Sequence, residues 1–195
     1  MRKKYLDCSI KEYLDDLSAK LPAPGGGSAA ALVSATGVSC LLMVVNFTIG
    51  KKGYEEHQTE LKEMQGKLTT YNLQLTTFID EDVTAYIKLS DAYKLPKEDT
   101  LRSEKIQIAL KNALSVPCKI FEISVGVLTL AERLKEIGNK NLISDVACGV
   151  SILRAGIESA KSNIDANLKC MDDVEFVKET KIKYEKIIKK IEVKL

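Results

Sequence analysis

Between Leu21 and Ile49 the chain carries no charged side chain, and from Ala29 to Val45 nearly every residue is apolar or small. A run of that length has two possible fates. It can be a helix covered on most sides by other helices, or it can cross a bilayer, which takes about 20 apolar residues. Ser34, Thr36, Ser39 and Asn46 interrupt the run, glycine and alanine crowd its first half, and no other segment matches it. A core helix crossed closely by its neighbours is the expectation, with no membrane partner.

The remainder reads as helix after helix. Ser9-Ile10-Lys11-Glu12 is a capping box, and behind it Ile10, Tyr13, Leu14, Leu17 and Leu21 recur at helical spacing until Pro22 and Pro24 end the segment. Gly25-Gly26-Gly27-Ser28 opens the uncharged helix, which stops near Gly50 and Gly53. A long helix follows from about Tyr54 to Asp91. Its stripe runs Leu61, Met64, Leu68, Tyr71, Leu75, Phe78, Asp82, Tyr86, Leu89 and Tyr93 in steps of three and four. The next helix starts near Asp99 or Thr100, is expected to kink at Pro117, and ends near Ile137. Another runs from about Ile143 to Lys169, and a last amphipathic one places Val177, Tyr184, Ile187, Ile188 and Ile191 inward. No stretch alternates with period two for long enough to build a sheet. The expected fold is all-α: a single-domain bundle of long helices over residues 1–195, dimerising through helix packing.

Composition narrows the function. With 195 residues the chain can bury roughly 70% of its unfolded surface without staples. Lys+Arg 29 against Asp+Glu 27 leaves a net charge of +2, too even for a nucleic-acid partner. One His rules out a multi-His metal site within the chain, and five scattered cysteines without a C-x-x-C spacing fit neither zinc nor a secreted disulfide framework. No apolar stretch follows the basic residues of MRKKYLDCSIKEY, so no secretory leader is expected and the setting is expected to be cytoplasmic.

Four places can carry chemistry. At Gly25-Gly26-Gly27-Ser28, free backbone N–H groups at the positive end of a helix dipole can bind an anion, or the segment is simply a tight turn capped by Ser28. Asp82 continues the apolar stripe, whereas Asp80 and Glu81 point elsewhere. A carboxylate there is either a structural hydrogen-bond partner or, with its proton affinity raised by desolvation, a general acid–base. On the helix after Gly138, the residues Asp145, Gly149, Ile152, Gly156, Ser159, Asn163 and Asn167 lie within about 40° of one line. They form either a groove with polar ends or a small-residue packing seam. The 18 residues from Asp145 to Asn163 rise roughly 27 Å, so those two side chains can share a site only across a helix–helix or subunit contact. Last, Lys51-Lys52, following Asn46 and Thr48, are either helix-dipole partners or a carboxylate-binding pair. His57, beside Glu55 and Glu56, reads as a surface residue.

Taken in order and spacing, Pro24-Gly25-Gly26-Gly27-Ser28-Ala29, Asn46-Phe47-Thr48-Ile49-Gly50-Lys51-Lys52-Gly53-Tyr54, Asp80-Glu81-Asp82 with Tyr86, Leu95-Pro96-Lys97, the run Gly138 to Asp145, and Asn163-Ile164-Asp165-Ala166-Asn167-Leu168 resemble the cyclodeaminase domain of formiminotransferase-cyclodeaminase. They resemble still more the stand-alone bacterial members of that family, which include methenyltetrahydrofolate cyclohydrolases. The resemblance spans about residues 5 to 180. It implies an all-helical homodimer with the folate pocket near the subunit interface. It also implies a one-carbon tetrahydrofolate as substrate, with no metal and no prosthetic group. Two reactions are implied: hydrolysis of 5,10-methenyltetrahydrofolate to 10-formyltetrahydrofolate, the leading expectation, and cyclisation of 5-formiminotetrahydrofolate with loss of ammonia. A non-catalytic folate-binding or scaffold dimer is the third alternative. On this resemblance Asp82 is the expected acid–base, with Asp145 and Lys51 polarising or orienting. Asn141, Asn163 and Asn167 are expected to hydrogen-bond the ligand, and Gly26, Gly27, Ser28, Asn46 and Thr48 to line the pocket. Ala166 and Asp165 depart from the pattern, being smaller and more acidic than the family norm.

Overall fold

In the computed structural model, which describes residues 3–194 and their side chains as far as Ile191, the chain forms six α-helices and three short 3-10 turns. The helices are α1 (Ile10–Ser18), α2 (Gly26–Thr48), α3 (Gln58–Tyr93), α4 (Arg102–Ile137), α5 (Ile143–Leu168) and α6 (Val174–Lys194). No strand occurs among the described residues.

The uncharged segment becomes α2, which lies at the centre and packs most extensively on α5 and α3, and also on α4. It is long and apolar enough to cross a bilayer, as is α4, and 56% of its apolar window is covered by its neighbours. Two glycines with φ of +73° and +89°, Gly50 and Gly53, turn the chain after it, a conformation that costs glycine nothing. The α2–α5 contact is antiparallel and depends on small residues. Gly37 meets Leu153 and Gly149, Gly149 meets Leu41 and Cys40, and Gly156 meets Ser34. Buried Ser34 Oγ accepts from Ser124 Oγ at 3.0 Å, which ties α4 into the same seam.

Two expectations are corrected. First, α1 ends at Ser18, ahead of the prolines, and of its apolar stripe only Tyr13 is buried. Ile10, Leu14 and Leu21 are exposed and Leu17 is half-buried against the core, whereas Tyr13 turns fully inward, where it meets Ser28 of α2. Second, α4 begins at Arg102 rather than at Asp99 or Thr100, with the Asp99 carboxylate accepting from the Leu101 N–H at 2.9 Å; its 36 residues include Pro117. Of the two readings of the small-residue line on α5, the packing seam holds for its middle. Gly149 and Gly156 are buried against α2, so the middle of that line is a helix–helix seam.

Candidate active site

Glycine at position 25 leaves α2 without a capping side chain, and the first-turn N–H groups of a helix need acceptors. One is supplied from outside the helix. Asp82 of α3 reaches across, and its Oδ2 accepts the Ser28 N–H at 2.9 Å. Gly27 makes the approach possible, since a Cβ there would overlap Asp82 Oδ1 and lie 2.6 Å from Asp82 Cγ. Ser28 is fully buried, and its hydroxyl pairs with that of Tyr13 at 3.1 Å. Burial pushes the Asp82 carboxyl up to about 6, against the opposing pull of the Ser28 N–H. Desolvation therefore outweighs the hydrogen bond, and Asp82 titrates close to neutrality.

Asp82 opens onto a cavity of about 320 Å³. The loop from Leu21 to Gly27 forms one wall, Tyr86 and Leu89 of α3 a second, Ala113 of α4 a third, and Asn163 and Asn167 of α5 close the fourth side. Among the described residues Asp82 is the one charged residue lining it. Asn163 Nδ2 donates to the Ser159 carbonyl at 2.8 Å, and Asn167 Nδ2 to the Asn163 carbonyl at 2.9 Å. Each amide therefore spends one of its two N–H donors on the preceding turn of α5 and keeps the other, together with its carbonyl oxygen. Gly26 packs against Asn163, with a Cβ there falling 3.3 Å from its amide.

The neighbouring acids behave differently. Asp80 accepts from the Tyr5 N–H at 2.7 Å and the Leu6 N–H at 3.4 Å, anchoring the Tyr5–Asp7 turn. With Glu81 it lines a second, broader depression that also contains Lys4 and Lys88. Three consecutive acids on one helix thus serve two different faces.

Of the expected site residues, Gly26, Gly27, Asp82, Asn163 and Asn167 converge on the 320 Å³ cavity, with Ser28 directly beneath. Asn46, Thr48, Lys51, Asn141 and Asp145 do not. They belong to the opposite end of α2, whose 23 residues span about 35 Å. Thr48 is a buried crosslink, donating to the Val44 carbonyl at 2.6 Å and accepting from the Asn139 N–H at 3.0 Å. Asn46 accepts from Gln65 at 2.7 Å, Lys51 and Asn141 are exposed, and Asp145 is half-buried in the first turn of α5. The Gly25–Ser28 segment is also less free than its sequence suggested, because the Ser28 N–H is taken by Asp82. The amides of Gly26 and Gly27 remain as the donors of that turn. Reading the sequence passed over Tyr13, whose one signal was being the only aromatic residue on the α1 stripe, and Ala113, which carried none.

A family model described as formiminotransferase-cyclodeaminase matches residues 9–186. The chain is 41% identical over 175 residues to a methenyltetrahydrofolate cyclohydrolase of Methylorubrum extorquens, covering 88% of this chain and 84% of that one. It is 31% identical over 180 residues to the formimidoyltransferase-cyclodeaminase of Rattus norvegicus, covering 90% of this chain but only 33% of that protein. The chain therefore spans about a third of the two-activity protein. The crystal structure of a formiminotetrahydrofolate cyclodeaminase from Thermotoga maritima superposes with a TM-score of 0.88 at 31% identity, covering 97% of this chain and 92% of that one.

Proposed function

The chain belongs to the formiminotransferase-cyclodeaminase family, and from that premise we propose that it is a one-carbon tetrahydrofolate enzyme that hydrolyses 5,10-methenyltetrahydrofolate to 10-formyltetrahydrofolate. One observation carries the reading: a carboxylate titrating near neutrality is, among the described residues, the single charged group in a helix-walled cavity. The methenyl bridge is an amidinium cation, so an isolated anion complements it. At pH 7 a carboxyl titrating at about 6 is mostly ionised and still basic enough to accept a proton.

The chemistry then follows. Water adds to the bridging carbon between N5 and N10 while Asp82 takes one of its protons, giving a neutral carbinol. As the carbon–N5 bond breaks, Asp82 returns that proton to N5, and the carbinol O–H proton leaves as the formyl C=O forms. One proton is released overall. The free N–H groups of Gly26 and Gly27 are suited to hold the carbinol oxygen. The carbonyl oxygens of Asn163 and Asn167 suit the N–H edge of the pterin. At about 320 Å³ the cavity is at the small end of ligand pockets, which suits the pterin and its one-carbon bridge rather than the whole folate.

Among the described residues no cation lines this cavity, and we propose that the carboxylate tail of the folate is neutralised outside it. In our reading the protein is a homodimer, and Lys51, Asp145 and Asn141 act, if at the same ligand, from the second copy. The Methylorubrum extorquens relative favours hydrolysis. The Thermotoga maritima structure favours a second reading, cyclodeamination, in which N10 attacks the formimino carbon and Asp82 carries the N10 proton to the departing ammonia. Near-ultraviolet absorbance separates them. Loss of the methenyl band above the uncatalysed rate is expected, whereas its appearance from 5-formiminotetrahydrofolate would transfer the assignment to cyclodeamination. Absence of both changes would overturn the enzyme reading in favour of a scaffold.

A further inference from the structure

Two serine–carboxylate pairs in this molecule differ in one respect. In the α1 capping box, Glu12 Oε2 accepts both from the Ser9 N–H at 2.9 Å and from the Ser9 hydroxyl at 2.8 Å. Glu12 is held below the usual carboxylate range, the backbone bond contributing most and the hydroxyl next. At the cavity, Asp82 accepts the Ser28 N–H in the same manner, but the Ser28 hydroxyl is engaged by Tyr13 at 3.1 Å. We propose that Tyr13 is a positioning residue for Asp82: by accepting the Ser28 O–H, it keeps a second hydrogen-bond donor away from the carboxylate that meets the substrate.

The placement supports this. Tyr13 is 4% exposed and is the one buried residue of α1. Its ring packs edge-on against Tyr5 at 5.5 Å, which fixes where its hydroxyl can go. Burial pushes the Tyr13 hydroxyl up from its ordinary value, so it remains protonated through the working pH range. Among the described residues nothing else around Asp82 competes for the role. Tyr13 of α1 is near enough to feel the Asp82 charge and Tyr86 shares its helix, while Ala113 of α4 and Asn163 and Asn167 of α5 are neutral, and no charged neighbour among the described residues shifts its titration. Without the Tyr13 hydroxyl, Ser28 Oγ is a buried polar atom lacking a partner, an unfavourable state. The nearest remedy is the geometry Ser9 already displays with Glu12.

This inference rests on Asp82 being the proton acceptor of the proposed reaction, yet it can be decided without substrate. With aspartate labelled by ¹³C at the side-chain carboxyl and the Asp82 signal assigned by its loss in Asp82→Asn, the Asp82 midpoint is read directly. In Tyr13→Phe it is expected to move down by about one pH unit, the effect of gaining one charge-assisted hydrogen bond. In the Tyr13→Phe/Ser28→Ala double variant it is expected to return to the wild-type position. The acid limb of kcat/KM in Tyr13→Phe should move with the NMR midpoint. An unmoved midpoint in folded Tyr13→Phe, or a displacement that persists in the double variant, overturns the proposal. Should Tyr13→Phe fail to fold, Ser28→Ala alone decides: a wild-type midpoint supports the role, and a lowered one overturns it by showing that Tyr13 itself can donate. Absence of turnover with both folate substrates would refute the proposed function while leaving this titration readable.

Discussion

The missing side chain of Gly27 is filled by the carboxylate of Asp82: a Cβ at position 27 would overlap Asp82 Oδ1 and lie 2.6 Å from its Cγ. The obstacle is the short carboxylate head, joined to a backbone that is itself packed, so the neighbour cannot swing away cheaply. Gly27→Ala is expected to displace Asp82, reduce turnover about 100-fold or more, and cost on the order of 1–3 kcal/mol of stability. Gly66→Ala on the exposed face of α3 is the control, since nothing lies within 4 Å of its Cβ. It should raise stability by up to about 1 kcal/mol through helix propensity. Chemical denaturation and turnover assays on the two proteins check both.

Removing the charge at position 82 should separate stability from activity. The folded-state carboxyl, at about 6, binds its proton more tightly than an ordinary one near 3.8. The native state therefore holds the extra proton between those values, and the contribution of Asp82 to stability falls as pH rises from about 4 to about 6. Above that window an ionised, desolvated carboxylate costs on the order of 3 kcal/mol. Asp82→Asn, which keeps the shape and an acceptor for the Ser28 N–H, should melt higher than wild type at pH 8 and equally at pH 4, with turnover lost about 100-fold or more. A variant that melts lower at pH 8, or turns over normally, would contradict the assignment.

The same titration sets the pH profile of the hydrolysis. Asp82 works as a base, so kcat/KM, corrected for the uncatalysed reaction, should climb with pH and level off above an apparent midpoint of about 6. A profile flat from pH 5 to 8 would place the proton transfer elsewhere.

The α2–α5 seam makes its own prediction. A methyl on Gly156 would overlap Ser34 Oγ and lie 3.2 Å from Ser34 Cβ. Gly156→Ala should therefore cost on the order of 1–3 kcal/mol, and Ser34→Ala in the same protein should recover part of that loss. A double-mutant cycle by denaturant unfolding measures the coupling, which is expected to be nonzero because the two positions touch.

If Lys51 serves the cavity of a second copy, subunits should complement one another. Asp82→Asn and Lys51→Ala chains, each impaired, would form mixed dimers with one intact composite site. Random pairing would then restore about a quarter of wild-type activity, as two-fold symmetry requires. Recovery no greater than the mean of the two parents would confine each site to one chain.

Period and punctuation made the helices legible. Three- and four-residue steps marked the long helices, and Asp82 stood out as an acid on an apolar stripe that ends in the cavity. What the sequence could not convey was pairing between helices. Gly149 and Gly156 fall on one line with Asn163, but only the packing of α2 reveals that the glycines are covered and the asparagine is not. Lys51 and Thr48 stand close to Ser28 in chain order yet lie a whole helix length away, because α2 runs unbroken between them. The outward face of α1 misled for a related reason: its apolar spacing was genuine, but amphipathicity says nothing about which side a neighbour will occupy.

The hydrogen bond from the Ser28 N–H to Asp82 makes one side chain answer to two masters. The atom that would trade protons with a ligand also finishes the opening turn of the central helix, so each protonation loosens a structural joint. Retuning this scaffold toward more acidic or more alkaline conditions would mean rebuilding the entrance to α2 as well as exchanging the base.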